Sequence, residues 1–210
     1  MTRKIYTLLT IFTLAAAVLA AGPAFAHHVM GGQMPASFAD GFLSGLGHPV
    51  IGLDHFAAVV AVGCLAAAHR AGWALALGFV LAMVTGVAVH VQGFSLPGSE
   101  ALVALTVIAL GVLMLRRNAL PVAAALAIFV AAGLLHGYAL GESIFGAERT
   151  PLLAYLFGLA VIQSAVALAA LNVTRIFVRG STEPAGLRLL GAGVAGIGLA
   201  IFVQQVVPAV

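Results

Sequence analysis

The chain has 210 residues, of which 63% are hydrophobic and only 7% charged, and its mean hydropathy is +1.18. Soluble domains carry about 25% charged residues, so a water-soluble enzyme or binding domain is excluded, and the length leaves no room for a second domain beside membrane spans. The net charge of +3 needs no nucleic-acid partner, because the basic residues fall where membrane topology accounts for them, and the single Cys64 excludes an intrachain disulfide or a multi-cysteine metal site.

In chain order, residues 1–26 read as a cleaved secretory signal. Arg3 and Lys4 form the positive segment, Ile5 to Ala21 the apolar segment, and Ala24-Phe25-Ala26 a small-x-small cleavage site. Cleavage makes His27 the mature N-terminus, outside the cytoplasm, with His28 beside it; an amine and imidazole there can chelate copper or nickel, but two histidines at a cleavage site are more simply read as accidental. Residues 27–210 form one domain. Phe38, Phe42 and Leu46 recur at helical spacing and predict a short extracytoplasmic interfacial helix. Gly45 and Gly47 then loosen the backbone, and Pro49 suits the first position of a new helix.

The expected fold is an all-α membrane bundle of six transmembrane helices, near 49–68, 73–91, 99–115, 119–140, 152–177 and 186–207. Each is close to the roughly 20 residues a bilayer requires. Gly and Pro punctuate the connections at Gly72, Pro97-Gly98, Gly146 and Pro184. Dense Gly and Ala allow close helix packing. With His27 outside, the first, third and fifth connections are cytoplasmic. They carry Arg70, Arg116, Arg117, Arg175, Arg179 and Arg188, against Arg149 alone on the outer side. This bias agrees with a multi-pass protein of the bacterial inner membrane whose mature N- and C-termini are both extracytoplasmic.

Ionisable residues inside a span cost roughly 2.5–3.5 kcal/mol each at the centre of a membrane helix and are usually functional. His48, Asp54 and His55 lie in the outer half of the first span. His90 ends the second span and His136 the fourth on the same side, with Glu142 just beyond. His69 lies at the other face, beside Arg70. Imidazole and carboxylate suit a borderline divalent ion such as nickel, cobalt, copper or zinc. His48 and His55 share a helix face but stand roughly 10 Å apart along the axis, so successive stations on a path fit better than one shared ion. Asp54 can ligate directly or orient an imidazole. Packing or solvation offers an ordinary alternative for His48 before a proline and for His90 and Glu142 at span ends. Gln163 and Ser164 suit hydrogen bonds between helices. Asp54 and His55 together inside a span resist such an account.

The pattern His48-Pro49-x-x-Gly52-x-Asp54-His55, supported by Gly63 and by His136-Gly137 with Gly141-Glu142, resembles the HupE/UreJ proteins across essentially the whole chain. It departs mildly at Phe56-Ala57-Ala58, where Leu and Met are commoner. The resemblance implies a secondary nickel permease supplying hydrogenase or urease maturation, with His48, Asp54 and His55 as the implicated residues. Ni²⁺ would be the transported ion, and no prosthetic group is expected. The expected partners are the divalent ion and the lipid bilayer, with a homo-oligomer and an indirect link to nickel-enzyme maturation also compatible. No ATP-binding G-x-x-x-x-G-K-[ST] motif occurs, so passage would follow a gradient. Two rival classes are an intramembrane zinc-dependent hydrolase, for which no separate nucleophile–base pair stands out, and a non-transporting metal binder or sensor, which lacks a soluble domain through which to signal.

Overall fold

The computed structural model describes residues 34–116, 118–179 and 185–207. The signal segment and His27–His28 lie outside the described residues. Among these residues the chain forms seven α-helices, one short 3-10 turn and no strand. The helices are α1 (Phe38–Ile51), α2 (Leu53–Ala66), α3 (Gly72–His90), α4 (Ser99–Met114), α5 (Val122–Leu140), α6 (Arg149–Arg179) and α7 (Ala185–Val206); the 3-10 turn, Gly141–Ile144, follows α5. Helices α3, α6 and α7, and α5 with its 3-10 extension, are each long and apolar enough to cross a membrane, and α1 with α2 make a fifth crossing if the pair is one broken span. At sixteen residues α4 is shorter, about 24 Å at 1.5 Å per residue.

The last five helices start and end within three residues of the segments expected from sequence. The first span differs. The sequence reading ended an interfacial helix near Leu46 and started a new one at Pro49. Instead α1 runs through Pro49 to Ile51, the chain is extended at Gly52 (φ −70°, ψ 103°), and α2 leaves at 71° to α1. The start of α1 is fixed by a capping box: the Asp40 N–H donates to Ser37 Oγ at 3.1 Å, and the Ser37 N–H donates to Asp40 Oδ2 at 3.1 Å. Pro49 lacks the N–H that would continue the ladder, and the helix ends two residues later. What carries α1 that far is packing. Gly41 lies against the backbone of Pro151 and Gly45 against that of Tyr155 and Leu159, while Phe42 stacks on Phe157 at 5.7 Å. Helix α1 is therefore docked along the start of α6 and does not lie alone at an interface.

Similar contacts organise the rest into pairs. Gly63 of α2 meets Ala167 and Ala170 further along α6, so the broken α1–α2 segment runs in the same direction as α6. Gly133 and Gly137 of α5 meet Phe79, Ala82 and Met83 of α3, again in parallel. Gly111 of α4 meets Gly191 and Ala195 of α7, while Gly198 of α7 meets Ala104 and Ile108; this pair is antiparallel. Small residues at these positions let backbones touch, which matters in lipid, where burial of apolar surface supplies little drive between helices. Phe79, Met83, Leu110, Phe129 and Tyr155 fill the centre with almost no exposure.

Candidate metal site

The break at Gly52 places two polar residues in the first turn of α2. Asp54 benefits there from the positive end of the helix dipole. Its Oδ1 accepts the His55 backbone N–H at 2.8 Å, one of the donors that a helix start leaves without an internal partner. Gly52 keeps the neighbourhood open: a Cβ at that position would stand 2.9 Å from His55 Cδ2 and 3.3 Å from Asp54 Oδ1. Asp54 and His55 are both buried.

His55 reaches across the bundle to α5. Its Nδ1 lies 2.8 Å from His136 Nδ1, with the rings edge to face at 5.0 Å between centroids. His136 is fully buried. Glycines flank it on α5, and the Phe79 ring of α3 lies 6.3 Å away. On its far side, His136 Nε2 lies 2.8 Å from Thr106 Oγ1 of α4, and that hydroxyl donates to the Val103 carbonyl at 2.7 Å. Three helices thus supply the polar groups of one buried cluster, and a fourth supplies an aromatic wall.

The hydrogen bonds set the tautomers. A hydroxyl has one proton, and Thr106 gives it to Val103. Its oxygen therefore accepts from His136 Nε2–H. With both rings neutral, His136 Nδ1 is then the acceptor and His55 Nδ1–H the donor. The lone pair left over is on His55 Nε2, which stands 3.9 Å from Asp54 Oδ1. His55 Nε2 and Asp54 offer one nitrogen and one carboxylate oxygen, while the two Nδ1 atoms, on the other side of the His55 ring, stay joined through a proton. Two nitrogens bound to a single ion at 2.0–2.1 Å would stand about 2.8–3.4 Å apart for angles of about 90–109°. The observed 2.8 Å spacing is close to that. Among the described residues, no three His, Cys, Asp or Glu side chains already surround a common metal position. The arrangement is a hydrogen-bonded pair with a carboxylate beside it, and it holds no preformed cage.

Of the six residues singled out by sequence, Asp54, His55 and His136 come together. His48 is buried on the last turn of α1, across the Gly52 break, where its carbonyl accepts the Gly52 N–H at 3.0 Å. His90 ends α3 against the rings of Tyr138 (4.5 Å) and Phe145 (5.7 Å), and its buried Nδ1 has no hydrogen-bond partner. It packs on Gly141, five residues past His136 and so about 7.5 Å further along that axis. Glu142 is exposed on the 3-10 turn. Sequence reasoning missed Thr106. A lone hydroxyl in the apolar run Ser99–Met114 was a faint signal, since such groups commonly bond back to their own helix, as this one also does. Gln163 is almost fully buried on α6, yet its amide nitrogen has no partner, so that nitrogen makes no hydrogen bond of the kind expected between helices.

Several apolar helices of membrane-crossing length, packed around a buried imidazole pair, define a polytopic membrane protein with a polar site in its interior. A family model described as HupE / UreJ protein matches residues 15–201. "Protein HupE" of Rhizobium leguminosarum bv. viciae is 38% identical over 131 residues, covering 61% of this chain and 64% of that protein, a little under two thirds of its length. No solved structure matches. The chain belongs to the HupE/UreJ family.

Proposed function

We propose that this protein is a secondary transporter that carries a divalent transition metal, Ni²⁺, inward across the bacterial inner membrane to supply hydrogenase or urease maturation. The observation that carries the reading is the meeting of His55 and His136, from separate helices, with Asp54 beside them in the interior of an apolar bundle. Such groups are costly in lipid and are retained for ions and protons. The choice of nickel over cobalt, copper or zinc follows the family resemblance.

The chain crosses the membrane six times in this reading. The broken α1–α2 pair is the first span, and α4 is a short third one. The parallel α3–α5 and α2–α6 pairs and the antiparallel α4–α7 pair are what strict alternation requires. A hydrated ion enters from the side bearing His90, exchanges waters for imidazole nitrogen, and meets the carboxylate of Asp54. That negative charge offsets part of the cost of bringing a dication into low dielectric. Ligation by His55 Nε2 and Asp54 alone, with the proton between the two Nδ1 atoms left in place, gives a weak site that can release its ion, as conduction demands. His48 is a further station beyond the Gly52 break.

The test is nickel accumulation by cells expressing wild type, His55→Ala and Asp54→Ala at equal membrane levels. Both variants should lose at least tenfold in initial uptake. Equal accumulation by all three would remove the site from the transport path.

A further inference from the structure

A cavity of about 610 Å³ opens at the opposite end of the bundle from His90, where α2, α4 and α6 finish and α5 and α7 begin. Arg70, Arg116, Arg175 and Arg188 line it, and among the described residues no Asp or Glu does. Among the described residues, none of the four makes an ion pair with a carboxylate. Their sign agrees with the positive-inside rule, but that rule needs arginines only in loops. It does not need four of them on one concave surface, where like charges in a low-dielectric wall reinforce one another's potential.

Two of the four show different uses. Arg175 is held by the fold: its Nε donates to the Ala67 carbonyl at 3.3 Å and its Nη2 to the His69 carbonyl at 2.7 Å, satisfying carbonyls at the end of α2. Arg188 is not. It is half-buried, and its Nε is fully enclosed with no hydrogen-bond acceptor. A buried guanidinium N–H without an acceptor is unfavourable, so Arg188, unlike Arg175, is not placed there to satisfy a carbonyl among the described residues. Between the arginines the lining is apolar, with Leu113, Met114 and Leu187. Cationic donors beside an apolar wall, at the end of apolar helices, match an amphiphile whose phosphate is held while its chains stay in lipid.

We propose that this cavity is a phosphate-binding site that takes the headgroup of an anionic phospholipid, with Arg188 and Arg116 as donors and Arg175 as the fixed wall. The proposal is independent of which ion the protein carries. The test uses the purified full-length chain in detergent, with lipid adducts counted by native mass spectrometry against dioleoyl phosphatidylglycerol and dioleoyl phosphatidylcholine. Wild type should prefer the anionic lipid. Arg188→Gln and Arg116→Gln should each weaken that binding about tenfold, the scale of one charge-assisted hydrogen bond. Arg188→Lys should restore part of it, and Arg149→Gln, on the other side, should change nothing. The melting temperature of wild type should rise with phosphatidylglycerol by more than that of Arg188→Gln, a lipid-dependent difference that a purely structural arginine would not produce. Equal binding of the two lipids, or glutamine variants that bind as wild type does, would overturn the proposal. Displacement of the adduct by millimolar inorganic phosphate would assign the cavity to a soluble anion and overturn the lipid source.

Discussion

Thr106 decides which nitrogen of His55 carries the proton. Its single proton goes to Val103, so its oxygen orients His136, and His136 in turn directs the His55 proton inward. Replacing Thr106 with Val keeps the shape and removes the acceptor. The buried His136 Nε2–H is then orphaned, at a cost of about 1–3 kcal/mol. Nickel uptake should fall several-fold, less than for His136→Ala, and Thr106→Ser should recover most of it; uptake by Thr106→Val as low as by His136→Ala would mean that Thr106 does more than orient a ring. Gly52 offers a second check. Its missing Cβ is the space beside His55 Cδ2, so Gly52→Ala should displace the ring and reduce uptake about tenfold while the amount of folded protein in the membrane stays near wild type. The size of that loss follows from how strongly reactivity depends on small displacements at a site.

The helices are held in pairs by backbone contact at glycine. Gly137 is the clearest case, since a Cβ there would overlap the backbone of Met83. Gly137→Val should separate α3 from α5, cost about 1–3 kcal/mol by overpacking, and lower the yield of monodisperse protein in size-exclusion chromatography. Gly193→Val makes the matching control: no atom lies within 4 Å of the Cβ it would add, and that variant should purify like wild type. At this scale the sequence was readable for the five long apolar runs and unreadable for the first. Pro49 is favoured at a helix start, and Gly45 and Gly47 looked like a break. Gly45 is instead a docking point for α6, and the proline sits near the end of the helix it was expected to begin. Local preference pointed one way, and tertiary packing chose the other.

For the whole molecule, the proposed topology of six crossings after a cleaved signal would put both mature termini on the same, outer, side. A phosphatase active only outside the cytoplasm, fused after the last residue, should therefore be active, whereas five crossings would silence it. Protons and metal ions compete for the same imidazole nitrogens. Nickel uptake should accordingly decline as the external medium is acidified from about pH 7.5 to about 5.5. A flat profile over that range would argue against histidine as a ligand on the path.

By itself the sequence determined the class of the protein. A chain that is 63% hydrophobic and 7% charged has to bury its polar backbone in helices within lipid, and the few ionisable residues stand out against that background, Asp54, His55 and His136 among them. The tertiary structure alone decided which of these residues meet. His55 and His136 are 81 residues apart in the chain and 2.8 Å apart in space, and Thr106 joins them from a third helix. Periodicity and composition describe the face of one helix. Contacts between helices depend on which backbones can approach, and small residues placed far apart in the chain set that approach.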